Sequence, residues 1–324
     1  MTYRSFADLH EDIIRWIPQL PTDIELVVGI PRSGLLVANL LSLHLNIPMA
    51  DLNGFLAGKI LSSGKRLKKI NPDTFLSIPR KVLVVDDAIG GGTQMNNARL
   101  RIRKMPSSHE IVYGALYVAT FEQLHKLDYS LQYLPHPGFF EWNLFHHILL
   151  KNSCMDIDGV LCRDPYDYED DDSKIYEQFL RTVKPIRIPT VRIGWLVTCR
   201  LEKYRALTVD WLERNSIRYN HLVMMNYPDK KSRQRAGLHS SFKAEVFKMS
   251  KTKLFIESSK IQAEEIAILT GKYVYCSSTH DLIYPSALGQ LREKIKDEIQ
   301  KTYTYPGFRL RSFLKLLRWW LIRK

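Results

Sequence analysis

The chain has 324 residues, of which 45% are hydrophobic, and it carries a formal net charge of +13 at pH 7. That length predicts two domains, since a domain typically holds about 150 residues, and the apolar share suffices for two cores. The positive charge favours an anionic partner such as nucleic acid, anionic lipid or a phosphorylated substrate.

Three other classes of protein are disfavoured by the sequence. Its cysteines have neither zinc-ligand spacing nor a disulfide framework, which indicates a reducing cytosol. They are Cys154, Cys162, Cys199 and Cys276. The N-terminal residues lack the apolar centre of a signal peptide. The sequence has no run of about 18 uncharged apolar residues, so no membrane-spanning helix is predicted.

The first predicted elements form an anion-binding layout. Residues 6–17 have the apolar spacing of a helix, and residues 26–30 predict a strand. The turn Pro31-Arg32-Ser33-Gly34 follows, and then a helix is predicted from about residue 35 to 45. Because a helix N-terminus offers free N–H groups and the positive end of its dipole, this order of elements suits an anion. Taken alone, a plain strand-to-helix turn is the simpler interpretation.

The most informative stretch is residues 82–94, which read Val-Leu-Val-Val-Asp-Asp-Ala-Ile-Gly-Gly-Gly-Thr-Gln. Its first four residues predict a strand buried on both faces. Asp86 and Asp87 follow at once, and a glycine-rich turn runs from Gly90 to Thr93. Carboxylates accept hydrogen bonds from vicinal hydroxyls, and glycines let backbone N–H groups approach a phosphate. The stretch therefore suits a sugar phosphate, although a buried strand with an acidic cap and a flexible turn is the alternative.

Together, the two turns resemble the type I phosphoribosyltransferases, which use 5-phosphoribosyl 1-diphosphate (PRPP). The resemblance implies that the acid pair holds the ribose hydroxyls with Mg²⁺, that the loop from Ala88 to Thr93 wraps the 5-phosphate, and that residues 29–34 hold the diphosphate. The PRPP-binding residues it implies are Arg32, Ser33, Gly34, Asp86, Asp87, Ala88, Ile89, Gly90, Gly91, Gly92 and Thr93. Asp86 and Asp87 are also the implied metal ligands of this domain.

This resemblance has two departures. The family pattern usually has threonine at the ninth position counted from the first acid, but here the ninth residue is Gln94 and Thr93 comes one earlier. Either the loop is one residue short or Gln94 replaces the threonine. Gly90 stands where purine-using members carry an acidic base, which argues against a purine acceptor.

A basic segment lies between the two turns. It contains Lys59, Lys65 and Arg66, and the family has a mobile loop here that closes over PRPP. A basic flap closing on the diphosphate would stabilise the charge that develops on the leaving group and would exclude water. A solvated basic loop is the alternative. Further along, Phe140 and Trp142 are candidates to stack on an acceptor sugar, with a role in an interdomain core as the alternative.

A second acidic motif follows at residues 154–162, Cys-Met-Asp-Ile-Asp-Gly-Val-Leu-Cys. Asp156 and Asp158 come directly after a predicted strand, and Gly159 permits a sharp turn. Two carboxylates so placed suit phosphate chemistry with Mg²⁺, one as nucleophile and the other as general acid and base. An acidic strand end in an inert domain is the alternative.

This motif resembles the first motif of the haloacid dehalogenase (HAD) phosphatases, and further segments extend the likeness. Thr198 ends an apolar strand, as in the second motif, and its hydroxyl would hold the phosphate. Lys243 resembles the lysine of the third motif, with Lys248 as the alternative. Glu257 resembles the fourth motif, although the usual pair of aspartates is Glu-Ser here. The implied catalytic residues are Asp156, Asp158, Thr198 and Lys243, and the implied metal ligands are Asp156, Asp158, Glu257 and the carbonyl of Ile157.

The C-terminal residues 308–324 alternate cationic and apolar side chains at helical spacing. This pattern fits a basic amphipathic helix on anionic lipid, with tryptophans at the headgroup level. A helix docked on the protein's own core and a homodimer contact are alternatives. The membrane-contacting residues that we predict are Arg309, Arg311, Lys315, Arg318, Trp319 and Trp320.

The chain is therefore predicted to be an α/β protein with two Rossmann-like domains, mainly parallel sheets and a C-terminal basic amphipathic helix. The predicted boundaries are a phosphoribosyltransferase domain over 1–150, a HAD-like phosphatase domain over 151–290 and a basic tail over 291–324. We expect a cytoplasmic protein, peripheral on the inner face of the cytoplasmic membrane, that does not bind nucleic acid.

The pairing of these domains resembles bifunctional ribofuranose-adding enzymes of bacterial polysaccharide biosynthesis. It implies transfer of 5-phosphoribosyl from PRPP to a glycan or lipid-linked oligosaccharide, with diphosphate release, followed by hydrolysis of the 5-phosphate. The alternatives are a nucleobase phosphoribosyltransferase joined to a nucleotidase in salvage, and a regulatory protein that binds PRPP without turnover.

Overall fold

A computed structural model describes residues 1–61, 78–106, 108–169 and 173–285 of the chain. These residues divide into two compact units. The N-terminal unit comprises Thr2 and Arg4–Gly138, and the C-terminal unit comprises Met1, Tyr3 and the described residues from Phe139 onward. The predicted tail at 291–324 lies outside the described residues.

The N-terminal unit contains a five-stranded, wholly parallel sheet of strand order β3-β2-β4-β5-β6. Its strands are β2 (Leu26–Gly29), β3 (Met49–Asp51), β4 (Lys81–Ile89), β5 (Glu110–Val118) and β6 (Tyr129–Tyr133). Its helices are α1 (Phe6–Trp16), α2 (Gly34–Leu45), α3 (Leu52–Leu56), α4 (Thr93–Ile102) and α5 (Phe121–Leu124). The short strands β1 (Thr2–Arg4) and β7 (Gly138–Phe140) form a separate two-stranded sheet.

Helices cover both faces of this sheet, which explains the unbroken apolar runs of its central strands. In β2 and β4, Leu26, Val28, Val82 and Val84 belong to one buried cluster that includes residues of α3 and α4. The intervening residues of both strands are also fully buried. Parallel sheets typically have both faces covered, so the prediction of a mainly parallel α/β fold is confirmed for this unit.

The C-terminal unit contains a six-stranded sheet of order β10-β9-β8-β11-β12-β13, in which all neighbours are parallel except the edge strand β13. Its strands are β8 (Ser153–Met155), β9 (Ile193–Leu201), β10 (Tyr219–Met225), β11 (Leu254–Glu257), β12 (Tyr273–Cys276) and β13 (Asp281–Ile283). Its helices are α6 (Lys174–Thr182), α7 (Arg205–Arg214), α8 (Lys230–Ala236), α9 (His239–Met249) and α10 (Lys260–Thr270).

The division between the units falls after Gly138, earlier than the predicted boundary at 150. The reason is the packing of the intervening segment. Phe139, Leu144 and Leu150 are fully buried in the same hydrophobic cluster as Met155 and Ile157 of the C-terminal unit. Residues 139–150 therefore contribute their apolar side chains to the second core.

Among the described residues, no helix combines the length and hydropathy that crossing a bilayer requires.

Candidate active sites

The register of the N-terminal sheet brings the two predicted anion-binding turns together. Gly29, the last residue of β2, pairs with Val85 of β4. The turn after β2 and the acids after Val85 therefore meet at the same edge of the sheet. Gly34 makes this approach possible, since a Cβ atom there would lie 2.7 Å from the Val85 carbonyl oxygen and 3.1 Å from Oδ1 of Asp86.

A hydrogen bond joins the two turns. Ser33 precedes α2, but its hydroxyl does not cap that helix. Instead, Ser33 Oγ donates to Oδ1 of Asp87 at 2.7 Å. Arg32 is exposed beside it, where its guanidinium is free to face a ligand. The structure thus brings together Arg32, Ser33, Gly34 and the acid pair, as the sequence predicts.

The acid pair is buried, with Asp86 8% and Asp87 5% exposed. Oδ1 of Asp86 accepts a hydrogen bond from the backbone N–H of Asp87 at 2.9 Å. Burial, and then the charge of Asp87, raise the pKa of Asp86 to about 8. Two neighbouring carboxylates in a weakly solvated site favour hydroxyl donors or a cation as ligands, which is the chemistry expected for a ribose with Mg²⁺.

The glycine-rich loop is shorter than predicted. We expected the phosphate loop to run from Ala88 to Thr93, but Ala88 and Ile89 belong to β4 and pair with Tyr117 and Val118 of β5. Backbone pairing with β5 continues past the two acids, because acidic side chains do not remove the N–H and C=O groups of a strand. Only Gly90, Gly91 and Gly92 form the loop, and α4 begins at Thr93.

Gly92 shapes the start of α4. It has a φ of 77°, in the left-handed region, and a Cβ atom there would lie 2.4 Å from Oε1 of Gln123. No side chain caps α4, so its first N–H groups face the loop as potential phosphate donors. Thr93 is thus the first helical residue and Gln94 the second.

Gln94 lies on a cavity of about 500 Å³ that is bordered by α4. The cavity is lined by Ile30, Pro31, Leu52, Asn53, Gln94, Asn97, Ala98, Leu100 and Arg101. Of the predicted flap residues, Lys59 is exposed, while Lys65 and Arg66 lie outside the described residues.

The C-terminal unit also gathers its predicted catalytic residues at one sheet edge. Met155 of β8 pairs with Leu196 of β9 and with Ile256 of β11. Asp156 follows β8 directly, Glu257 is the last residue of β11, and Thr198 lies two positions after Leu196 in the adjacent β9. Thr198 does not end its strand as predicted, because β9 continues to Leu201 beside β10. The backbone N–H of Asp156 donates to the Ile256 carbonyl at 3.0 Å, which fixes the end of β8 against β11.

Lys243, on α9, connects these acids. Its Nζ lies 2.6 Å from Oδ2 of Asp156, 2.7 Å from Oε2 of Glu257 and 2.9 Å from Oε1 of Gln262. Burial alone would lower the pKa of Lys243, but Asp156 and Glu257 outweigh it and raise the pKa. Lys243 is therefore the lysine that contacts the predicted catalytic acids. The alternative, Lys248, is exposed.

Asp156 is 6% exposed. Burial raises its pKa to about 7, against the opposing effect of Lys243. Asp156 Oδ1 accepts the N–H of Ile157 at 2.7 Å, which orients the carboxylate. The site thus holds a lysine ammonium between two carboxylates, and it can offer a nucleophilic oxygen beside a cation that neutralises phosphate.

The backbone carbonyl predicted to ligate a metal ion is occupied. The carbonyl of Ile157 accepts the N–H groups of Val160, Leu161 and Cys162, because Gly159, with a φ of 73°, turns the chain sharply back on itself. The Asp158 carbonyl instead faces Ser258 Oγ, at 3.4 Å. The Asp158 carbonyl is thus less engaged than that of Ile157 and is a second candidate for a metal ligand, while the Ile157 assignment stays a prediction.

The donor set at this edge suits a hard cation. Two carboxylates, from Asp156 and Glu257, and the Asp158 carbonyl supply oxygen ligands of the kind that Mg²⁺ prefers, with water completing its shell. Oε1 of Glu257 also accepts the N–H groups of Ser258 and Ser259, at 2.9 and 3.1 Å. Within the described ranges, no group of three His, Cys, Asp or Glu side chains is arranged to hold a metal ion by itself.

One residue of this site escaped the sequence analysis. Arg200 is fully buried, and its Nη2 lies 2.6 Å from Oδ1 of Asp158. Its Nε lies 3.0 Å from Oδ2 of the same carboxylate. Arg200 follows Thr198 by two positions in β9, so both side chains leave the same face of the strand. The spacing of two residues from Thr198 was the feature of the sequence that could have identified Arg200 as part of the site.

The aromatic candidates for an acceptor site stack on each other. The ring centroids of Phe140 and Trp142 are 4.8 Å apart, with an interplanar angle of 10°. Both belong to the C-terminal unit. The predicted membrane-contacting residues, from Arg309 to Trp320, lie outside the described part of the chain.

Comparisons with known proteins bear on the first of the two sites. Residues 3–105 match the sequence model of a family described as phosphoribosyl transferase domain, and this range includes both turns of the N-terminal site. No curated protein matches the chain.

Solved structures that match part of the chain include two purine-type enzymes and one orotate enzyme. The chain is 18% identical to Helicobacter pylori xanthine-guanine-hypoxanthine phosphoribosyltransferase, covering 44% of this chain and 92% of that one, with a TM-score of 0.31. It is also 18% identical to the purine phosphoribosyltransferase from Pyrococcus horikoshii Ot3, a match that covers 44% of this chain and 92% of that one, with a TM-score of 0.32. The match to the orotate phosphoribosyltransferase from Aeropyrum pernix has 18% identity, covers 40% of this chain and 71% of that one, and has a TM-score of 0.28. The match of residues 3–105 to the family model supports a phosphoribosyl transferase domain, and hence a transferase, in this part of the chain.

Proposed function

We propose that this protein is a bifunctional enzyme. Its N-terminal unit transfers 5-phosphoribosyl from PRPP to a glycan, and its C-terminal unit then hydrolyses the 5-phosphate to leave a ribofuranose. The observation that carries the proposal is the pairing of two sites in one chain. One holds the Ser33–Asp87 hydrogen bond, and the other holds Lys243 between Asp156 and Glu257.

In the first reaction, Asp86 and Asp87 hold the ribose hydroxyls, and the loop of Gly90 to Gly92 with Thr93 holds the 5-phosphate. Arg32 and the turn around Ser33 hold the diphosphate. An acceptor hydroxyl attacks C1, the bond from C1 to the diphosphate oxygen breaks, and diphosphate leaves with that electron pair. The proton of the acceptor hydroxyl passes to water. Mg²⁺, held near the acid pair with PRPP, would neutralise charge on the diphosphate. The guanidinium of Arg32 would add to that neutralisation.

In the second reaction, a carboxylate oxygen of Asp156 attacks the phosphorus of the 5-phosphate. The bond from phosphorus to O5 breaks, and Asp158 gives its proton to O5 as the ribose leaves. Water then attacks the aspartyl phosphate and gives a proton to Asp158, and inorganic phosphate leaves Asp156. Thr198 and Lys243 hold the phosphoryl oxygens throughout. Mg²⁺ bound by Asp156, Glu257 and the Asp158 carbonyl would screen the charge of the phosphate from the nucleophile.

The combination of activities points to the acceptor. A nucleotide pathway retains the 5-phosphate, whereas a chain that adds phosphoribose and then removes its phosphate delivers an unphosphorylated pentose. A glycan is the acceptor class for which that outcome is useful. The basic, tryptophan-containing C-terminal sequence further supports a lipid-linked oligosaccharide presented at an anionic, cytoplasmic membrane surface.

Product masses test both steps. The full chain is incubated with PRPP, Mg²⁺ and an oligosaccharide or membrane-lipid extract from its own source. The wild type should add a pentose to an acceptor, and Asp156→Asn should add a pentose phosphate while releasing the same amount of diphosphate. Asp210→Asn, an exposed aspartate of the same unit that pairs with Arg214, is the matched control and should behave like the wild type.

Other outcomes would replace the proposal. Consumption of nucleobases with formation of nucleosides would establish a salvage enzyme with a nucleotidase. PRPP binding without turnover on any acceptor would establish a regulatory protein. Dephosphorylated product from Asp156→Asn would show that Asp156 is not the nucleophile.

The membrane component is tested separately. The full chain should sediment with vesicles containing phosphatidylglycerol and remain free of vesicles made of phosphatidylcholine alone. Replacing Trp319 and Trp320 by alanine should weaken that binding without changing phosphate release from ribose 5-phosphate. Equal binding of the variant and the wild type would place the membrane contact elsewhere.

A further inference from the structure

Arg200 contributes a fully buried guanidinium to an ion pair of the C-terminal site. Its side chain is 0% exposed, whereas that of Asp158 is 17% exposed. The guanidinium contacts both carboxylate oxygens, with Nη2 at 2.6 Å from Oδ1 and Nε at 3.0 Å from Oδ2. The arginine thus lies behind the carboxylate, and the carboxylate is the member of the pair that reaches the solvent-accessible side.

The groups around this pair reinforce its geometry. Cys162 Sγ lies 3.3 Å from Oδ1 of Asp158 and 3.3 Å from Nη2 of Arg200. Burial raises the pKa of the Cys162 thiol, so the thiol keeps its proton and donates to the carboxylate. Arg200 Nη1 also donates to Thr208 Oγ1 at 3.5 Å, and the guanidinium carbon lies 5.7 Å from the ring centroid of Trp211.

Stability alone is a weak reason for this arrangement. Removing an arginine and a carboxylate from water is costly, and apolar residues of similar volume often stabilise a fold as well or better. What a planar, two-pronged guanidinium adds is orientation, since it fixes a carboxylate in one plane. Asp158 is the residue of this site whose position must be accurate for proton transfer.

We propose that Arg200 is a positioning residue of the phosphatase site, which holds Asp158 where it protonates the leaving oxygen and then accepts a proton from water. This inference rests on the phosphatase half of the proposed function. We assign Arg200 no contact with the phosphate, and its effect on the reaction passes through Asp158. Replacing Arg200 should therefore slow hydrolysis most for substrates whose leaving group needs a proton.

Two substrates separate this role from general stability. The alkoxide of ribose 5-phosphate needs a proton to leave, whereas 4-nitrophenolate leaves without one. In Arg200→Gln, kcat for ribose 5-phosphate should fall about 100-fold, the lower end of what general acid catalysis contributes. For 4-nitrophenyl phosphate the fall should be smaller than about 10-fold, and KM for either substrate should stay within about threefold, because binding is retained. Arg205→Gln removes an arginine from the pair with Glu202 in the same unit and is the control, with neither activity changed.

If Arg200→Gln does not fold, Arg200→Lys replaces it as the test variant. It retains the charge but loses the two-pronged contact, so it should show the same selective loss for ribose 5-phosphate to a smaller degree. In an Asp158→Asn background, adding Arg200→Lys should cause no further loss, since both act on one step.

The outcomes distinguish this inference from the proposed function. A wild type with no phosphatase activity on either substrate overturns the phosphatase half and, with it, the inference. An active wild type whose Arg200 variants lose both substrates equally, or lose neither, overturns the inference alone. Additive losses in the Asp158→Asn background would also overturn it.

Discussion

Ser33 Oγ donates a hydrogen bond of 2.7 Å to Oδ1 of Asp87 and so ties the turn before α2 to the acid pair in β4. The two residues are 54 positions apart in the chain. Because Asp87 is buried, this donor supplies part of the solvation that the carboxylate loses. The hydroxyl thereby links the turn expected to hold the diphosphate with the acids expected to hold the ribose.

Replacing Ser33 by alanine should weaken PRPP binding. A hydrogen bond to a charged group contributes about 1.5 to 3 kcal/mol, and about 1.4 kcal/mol corresponds to a tenfold change in affinity. We therefore expect Kd for PRPP, measured by titration calorimetry with Mg²⁺, to rise about 10-fold. Ser42→Ala is the matched control, because Ser42 lies in α2, the helix that Ser33 precedes, and donates to the Ile47 carbonyl instead. Equal affinities for the two variants would contradict this role of Ser33.

Gly92→Ala should destabilise the N-terminal unit, because Gly92 has a φ of 77° and a Cβ atom would lie 2.4 Å from Oε1 of Gln123. Strained backbone of this kind costs about 1 to 3 kcal/mol, so the midpoint of thermal unfolding should fall and PRPP binding should weaken. Gly91→Ala is the control, since a Cβ atom there meets nothing within 4 Å. Adding Gln123→Ala to Gly92→Ala should restore stability only in part, because it removes the contact but not the strain. Similar unfolding midpoints for the Gly91 and Gly92 variants would show that the loop tolerates a side chain.

Much of the N-terminal site was accessible from the sequence, because each of its parts is local. A strand, a turn with glycine at its end and a following helix are read from consecutive residues, as are two acids before three glycines. What the sequence did not give was the end of β4. Ala88 and Ile89 pair with Tyr117 and Val118, and such pairing depends on a strand that is distant in the chain.

The C-terminal site shows the same limit. Asp156, Thr198 and Glu257 each follow an apolar run. This pattern correctly placed Asp156 and Glu257 at strand ends, whereas β9 continues past Thr198 to Leu201. The contact between Arg200 and Asp158 joins residues 42 positions apart, and no local pattern specifies which buried carboxylate a strand arginine will meet. The hydrogen bonds of the Ile157 carbonyl were not predicted from the sequence either. The sharp turn at Gly159 brings three backbone N–H groups to this oxygen.

Asp86→Asn should stabilise the protein at slightly alkaline pH even though it should abolish PRPP binding. Burial and the charge of Asp87 raise the pKa of Asp86 to about 8, so the folded state retains a proton that the unfolded chain loses near pH 4. The wild type therefore loses stability as the pH rises from about 4 to about 8. The amide carries no charge and avoids this loss.

The measurement is the midpoint of thermal unfolding at pH 5 and at pH 8, without PRPP or Mg²⁺. The advantage of Asp86→Asn over the wild type should be larger at pH 8. We expect it to reach at least about 1 kcal/mol there, since one pKa unit corresponds to about 1.4 kcal/mol. An advantage that is the same at both pH values would show that Asp86 does not carry the buried proton.

Lys243→Met should destabilise the C-terminal unit strongly, because it leaves Asp156 and Glu257 as two buried carboxylates without the ammonium that lies 2.6 and 2.7 Å from them. Breaking a buried ion pair from one side costs about 3 to 5 kcal/mol. Lys248→Met is the matched control, since Lys248 lies on the same helix but is exposed, and it should change the free energy of unfolding by less than about 0.5 kcal/mol. Adding Glu257→Gln to Lys243→Met removes one of the stranded charges and should recover part of the loss. Chemical denaturation monitored by tryptophan fluorescence measures all four proteins, and a Lys243 variant as stable as the Lys248 variant would mean that the two acids do not depend on this lysine.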